Sequence, residues 1–169
     1  RVGVGAGVLV SYLLNKCLEA GLVGLEFMTG IPGTVGGAIR GNAGAFRGEI
    51  KDCTESVRSL NTNNLKVSNY RYRACQFAYR SSFFKKMSDE EIVLGAVLKL
   101  KRGNPKKIQA AIQEKIDYRV SRHPLEYPNT GSTFKNINVK NVPKKVLNQM
   151  KHVIKTDPFP VIPTAYLIS

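Results

Sequence analysis

The chain has 169 residues, which suits one domain of ordinary size or one domain plus part of another. With 43% hydrophobic and 22% charged residues it can bury a core, which excludes a disordered chain. The 26 Lys and Arg against 12 Asp and Glu give a net charge of +14; this favours a polyanionic partner, with nucleotide phosphates, nucleic acid or a merely solvated basic surface all compatible.

Val2 to Val10 reads as a short strand and turn. Val10, Leu13, Leu14, Cys17 and Leu18 then fall at helical spacing, and Gly21 closes the helix. A glycine-rich region follows. Ile50 to Ser59 reads as a strand, Asn61 to Asn64 as a turn, Leu65 to Val67 as the returning strand, and Arg71 to Ala78 as holding a short helical turn. Ile92 to Leu100 is a strong strand in which Ile92, Leu94, Ala96, Leu98 and Leu100 alternate with Val93, Gly95, Val97 and Lys99. After Pro105 a stripe of Ile108, Ala111, Ile112, Lys115 and Ile116 predicts a helix to about Ser121, ended by Pro124 and Pro128. The helix reads as a connector, giving domains over 1–103 and 124–169 joined by 104–123. Residues 137–161 are rich in lysine and proline, and Pro163 to Ser169 resembles a helix start. Arg1 abuts an apolar stretch and Ser169 ends inside a helical pattern, so both ends read as internal to a longer chain.

Cys17, Cys53 and Cys75 lie far apart, no Cys-x-x-Cys exists, and the histidines are His123 and His152, so no metal site is expected. Sparse, odd cysteines suit a reducing cytoplasm. No apolar run reaches the roughly 18 residues of a membrane span, so membrane insertion is not expected. No nucleic-acid-reading motif is present either, and nucleic acid is not the expected partner.

Gly24 to Ile50 reads GLEFMTGIPGTVGGAIRGNAGAFRGEI. Such glycine density lets backbone approach a ligand closely, and successive N–H groups can form a nest for phosphate. It is neither a Walker loop, which needs Gly-Lys-Ser/Thr, nor a G-x-G-x-x-G entering a Rossmann helix. A structural loop that binds nothing fits the composition equally well. Two further segments carry chemistry. FAYRSSFF (Phe77 to Phe84) presents Arg80, whose guanidinium can stabilise developing enolate charge next to a carboxylate. YPNTGSTFKN (Tyr127 to Asn136) presents Ser132, which can act as a proton donor only in a site that stabilises its alkoxide.

Together these segments, in this order, are similar to the flavin-dependent reductase family usually called MurB, whose pattern runs Gly-Ile-Pro-Gly-x-Val-Gly-Gly, Asn-Ala-Gly-Ala-(Tyr/Phe), Phe-x-Tyr-Arg-x-Ser-x-Phe and Gly-Ser-x-Phe-Lys-Asn. The resemblance runs from about Arg1 to Asn136. It implies an α+β fold: an FAD-binding domain of the vanillyl-alcohol-oxidase/PCMH type followed by the start of an α+β substrate-binding domain. It implies FAD contacts from Gly30, Ile31, Pro32, Gly33, Thr34, Val35, Gly36, Gly37, Asn42, Ala43, Gly44 and Ala45. It implies catalytic roles for Arg80 and Ser132, and substrate contacts from Tyr79, Lys135 and Asn136. The implied reaction is NADPH-dependent reduction of a UDP-sugar enolpyruvate to UDP-N-acetylmuramate, with a further flavin loop before Arg1 and a third catalytic residue, a glutamate, after Ser169. Another FAD oxidase or dehydrogenase of the same fold is the alternative, and a basic nucleic-acid-binding module, resting on the +14 charge alone, is a weaker one. Some related flavoproteins bind FAD through a histidine; none precedes His123, so non-covalent FAD is expected. Arg47 stands where the family often has glycine.

Overall fold

The computed structural model describes residues 1–87, 89–122, 127, 134–156 and 159–168. The chain divides into two compact units, 1–123 and 124–169.

The first unit is built on a four-stranded antiparallel sheet of β1 (Val2–Gly5), β5 (Thr54–Asn61), β6 (Val67–Arg71) and β7 (Glu91–Leu98), in the order β1-β7-β5-β6. One face packs against α1 (Val10–Glu19), α2 (Val35–Gly41) and the single turn α3 (Phe83–Lys86). In α1 the buried residues are Val10, Leu13, Leu14 and Cys17, the face expected from their spacing. The helix stops at Ala20, and Gly21 turns the chain at φ +63°. Short pairs add local closure: β2 (Leu22–Val23) with β8 (Lys101–Arg102), and β3 (Gly44–Ala45) with β4 (Gly48–Glu49).

Three sequence expectations shift. The strand read from Ile50 begins only at Thr54, because Ile50–Asp52 form a 3-10 turn: Glu49 and Asp52 cap each other's backbone N–H, and Glu49 N donates to Asp52 Oδ2 at 2.8 Å. In β7 the even-numbered residues do not all share a face. Ala96 and Leu98 are buried, while Ile92 is 50% exposed. The pairing steps from Arg58↔Gly95 to Ser59↔Val93, so Leu94 is the extra residue of a bulge, and one extra residue reverses inside and outside beyond it. The long helix α4 (Pro105–Arg122) buries Ile108 and Ile112 against the first unit, but Ile116 faces outward at 39% exposure; Lys115 and Arg119 continue the inner face instead.

The reversal in β7 places Glu91 inside. Ser59 Oγ donates to its Oε2 at 2.6 Å, while Asn61 Nδ2 (3.1 Å) and Tyr70 Oη (3.0 Å) donate to Oε1. Burial pushes this carboxyl up, but the three donors outweigh it and hold the group below the ordinary glutamate value. Cys53 and Cys75 are buried thiols, pushed by burial up to about 12 and about 11.

In the second unit, β9 (Ile137–Asn138) pairs antiparallel with β10 (Val161–Ile162), through Ile137↔Ile162 and Asn138↔Val161. Val161 and Ile162 are buried, and α5 (Lys144–Gln149) lies in the lysine-rich stretch between the two strands. α6 (Ala165–Ile168) follows, and Thr164 Oγ1 donates to Lys135 O. No helix among the described residues is long and apolar enough to cross a membrane.

Two outcomes follow from these buried groups. A glutamate held ionised by the fold contributes stability above its ordinary value, roughly 4.3, and loses it as pH falls through its lower folded value. Urea midpoints should therefore drop for the wild type as pH falls below about 4.3, and drop less for Glu91→Gln, which is the less stable form at pH 7. Thiols this far above neutrality carry almost no thiolate, so a disulfide reagent at pH 7.5 should label Cys53 and Cys75 only after denaturant is added.

Candidate functional site

The glycine-rich stretch does not hang free. It is stitched to the turn after β1: Gly36 N donates to Ala6 O (2.9 Å), Val35 N to Val8 O (2.9 Å), and Val10 N to Gly33 O (3.0 Å). Thr34 caps α2, its Oγ1 accepting from Gly37 N at 3.3 Å. The N–H groups of Val35, Gly36 and Gly37 are thus satisfied within the protein. What this segment offers a ligand is backbone surface. Gly33 has φ +101°, a conformation L side chains avoid, and a Cβ there would meet nothing within 4 Å. A Cβ at Gly7, on the stitched partner segment, would likewise meet nothing within 4 Å. Gly3 and Gly5, just before it, line a groove of about 410 Å³ on the outer face of the sheet with Gly95, Ser56, Arg58 and Asn69.

At the far end of α2, Asn42 adopts a left-handed conformation (φ 44°, ψ 60°) that ends the helix. Its side chain is fully buried. Nδ2 donates to Ala78 O at 2.9 Å, and Oδ1 accepts from Lys51 N at 3.2 Å. Asn42 therefore orders backbone, and its neighbours Ala43, Gly44 and Ala45 are half-buried beside it.

Ala78 begins a two-residue reversal. Ala78 and Ser81 exchange backbone hydrogen bonds at 3.0 Å each way, with Tyr79 and Arg80 at the tip. Arg80 takes φ +51° there, a strained choice for a non-glycine residue. The strain is held by contacts on several sides. Its Nη2 donates to Gly44 O at 2.6 Å and its Nη1 to Asn42 O at 3.5 Å. Glu49 Oε1 is 3.7 Å from Nη1, and the guanidinium lies 5.1 Å from the Tyr79 ring centre. Lys85 Nζ donates to Arg80 O, while buried Ser82 donates to Arg40 O and anchors the turn to α2. Arg80 is thus pinned to the Asn42–Ala45 segment, with its side chain still 36% exposed.

Glu49 was not visible as a site residue in the sequence. It is buried, pairs with Lys51 Nζ at 2.5 Å, and its Oε1 has no hydrogen-bond partner among the described residues. The signal available was only the Gly-Glu-Ile that follows Asn-Ala-Gly; its meaning depends on a long-range neighbour, Arg80.

Lys135 is exposed and Asn136 half-buried, both in the second unit. Ser132 lies outside the described residues, as do Gly131 and Thr133.

A family model described as an FAD binding domain matches residues 1–64. The chain is 42% identical over 136 residues to the UDP-N-acetylenolpyruvoylglucosamine reductase of Syntrophus aciditrophicus, covering 80% of this chain and 42% of that protein. It is 45% identical over 132 residues to the same-named protein of Caldanaerobacter subterraneus, covering 77% and 42%. The crystal structure of UDP-N-acetylenolpyruvylglucosamine reductase (MurB) from Thermus caldophilus superposes with a TM-score of 0.66 at 30% identity, over 88% of this chain and 53% of that one. Over most of its length the chain is thus similar to the UDP-N-acetylenolpyruvoylglucosamine reductase family. Its fold is accordingly the α+β flavin-binding fold of that family, and it spans a little under half the length of these curated relatives.

Asn42 supplies a direct test of the site's construction. Asn42→Ala leaves Ala78 O and Lys51 N unpaired and should cost about 2–4 kcal/mol in urea unfolding. Asn42→Gly restores the left-handed backbone alone and should recover only part of this, about 1 kcal/mol.

Proposed function

We propose that the protein carrying this sequence reduces the enolpyruvyl group of a UDP-N-acetylglucosamine ether to UDP-N-acetylmuramate, using non-covalent FAD and NADPH, in peptidoglycan precursor synthesis in the cytoplasm. The observation that carries the reading is the pinning of Arg80 to the Asn42–Ala45 segment: two stretches that resemble the family separately meet in space, joined by the 2.6 Å bond to Gly44 O.

The residues present fit a flavin. The glycine-faced backbone at Gly7 and Gly33 gives a planar ring system or a pyrophosphate close access, and Gly30 to Gly37 together with Ala43 to Ala45 would line it. FAD, when bound, supplies the hydride-accepting and hydride-donating chemistry. The rest falls to the chain's own side chains. Arg80 has Nη2 and Nη1 directed at main-chain oxygens, so its orientation is set before a substrate arrives. Its exposed edge would pair with the enolpyruvyl carboxylate and stabilise the enolate charge that develops when hydride reaches the neighbouring carbon. Ser132 would then protonate that enolate. Tyr79, beside Arg80 at the tip of the turn, together with Lys135 and Asn136, would contact the substrate, with Lys135 directed to its diphosphate. The +14 charge suits two phosphorylated ligands.

In a protein of the relatives' full length that carries this sequence, Arg80→Ala and Ser132→Ala should each still show flavin bleaching by NADPH. Reoxidation by the enolpyruvyl UDP-sugar should slow by about 100-fold or more in stopped flow. Normal reoxidation in both variants would overturn the assignment.

A further inference from the structure

The fold itself uses Glu49 through only one of its two side-chain oxygens. The side chain accepts from the Asp52 N–H in the mutual cap of the Ile50–Asp52 turn, and Oε2 pairs with Lys51 Nζ at 2.5 Å. Oε1 has no hydrogen-bond partner among the described residues, although it is buried and the side chain is only 9% exposed. A carboxylate kept for the cap and the lysine alone would leave its second oxygen to water, because burying an unpaired oxygen is costly. Here that oxygen is turned to the Arg80 guanidinium, 3.7 Å from Nη1.

Packing as well as charge holds the carboxylate in this place. β3 and β4 pair Gly44 with Glu49, and the Glu49 side chain crosses Gly44 so closely that a Cβ there would lie 2.8 Å from Cγ. Phe27 packs on Gly48 just before it, where a Cβ would lie 2.5 Å from the ring. Gly44 is also the residue whose carbonyl accepts from Arg80 Nη2 at 2.6 Å, so hairpin, carboxylate and guanidinium form one packed unit.

The guanidinium thus has the main-chain oxygens of Asn42 and Gly44 and the Glu49 carboxylate along one side. Carbonyl contacts act at short range: at 3.5 Å the bond from Nη1 to Asn42 O is already weak. A full charge reaches further, since Coulomb attraction falls only as the inverse of distance. We propose that Glu49 is a positioning residue for Arg80: its inward carboxylate oxygen holds the guanidinium against the β3–β4 hairpin, so that the exposed edge of Arg80 meets a planar anion in one fixed orientation. Without that charge the guanidinium can swing, which slows a step that needs it in place. The carboxylate also competes with the anion for Arg80, so its loss does not weaken binding of the anion.

The step that Arg80 serves rests on the reductase reading; its tie to Glu49 does not. The test uses Glu49→Gln in a protein of the relatives' full length that carries this sequence. Glutamine has nearly the same shape, but it is uncharged and its amide can set a donor against the donors of Arg80. The guanidinium N–H signals of Arg80 in NMR spectra, identified by their loss in Arg80→Ala, should exchange with water about tenfold faster in Glu49→Gln. Unchanged exchange would overturn the inference, whatever reaction the protein performs. In stopped flow, the maximal rate of flavin reoxidation by the enolpyruvyl UDP-sugar should fall about tenfold, with no rise in the sugar concentration that gives half of it. In an Arg80→Ala background the same substitution should change that rate by less than about twofold, because a residue that acts through another then has nothing to act on. An equal effect in both backgrounds, slowing or none, would overturn the inference. Failure of the reductase reading appears separately, as normal reoxidation in Arg80→Ala itself. If Glu49→Gln does not fold, Glu49→Asp, which keeps the charge but withdraws it by one methylene, is read in its place with the same outcomes.

Discussion

Asn42 bonds with its side-chain amide to Ala78 O and Lys51 N, while its own carbonyl receives Arg80. Two other stretches, the one at Lys51 and the Ala78–Ser81 turn, are thereby fixed to one residue at the end of α2. An amide can do this because it offers donor and acceptor at once, and a buried amide must find partners for both. Asparagine also tolerates the left-handed conformation that ends the helix at this point. Remove that side chain and the arginine turn loses the amide donor that holds the carbonyl of Ala78, its first residue.

The charges around this cap are arranged with the same economy. Buried Glu49 sits between Lys51 and Arg80, so one carboxylate neutralises part of two cations inside an otherwise basic chain. Arg80 keeps one edge toward main-chain oxygens and the other accessible. Its strained φ is supported by Ser82 below it, Lys85 on its carbonyl and the exchange of hydrogen bonds between Ala78 and Ser81. A rigid guanidinium of this kind loses little entropy when it meets a planar anion.

Much of this architecture was legible in the sequence. Helical spacing marked the buried face of α1, and the Asn61–Asn64 turn is where β5 ends, with Asn61 Oδ1 accepting from the backbone of Asn63 and Asn64. The FAYRSSFF segment was distinctive enough to single out Arg80. Other features were hidden for physical reasons. A β-bulge has no local signature, so the reversal at Leu94 and the inward placement of Glu91 could not be read from alternation. Ile116 looked like core because helical spacing alone cannot choose between adjacent stripes; the third dimension chose Lys115 and Arg119. The bonds that occupy the Asn42 side chain, to Ala78 O and Lys51 N, join residues 36 and 9 positions away and have no local signature either. Partner-dependent residues such as Glu49 carry no period at all.

The lysine- and proline-rich stretch of the second unit enters at Asn138 and leaves at Val161, and these two residues face each other across a strand pair. A segment whose ends already touch imposes little strain on its surroundings, because the entropy of closing a loop grows only slowly with its length. Residues 139–160 can therefore lengthen, shorten or change composition while Ile137 and Ile162 stay paired.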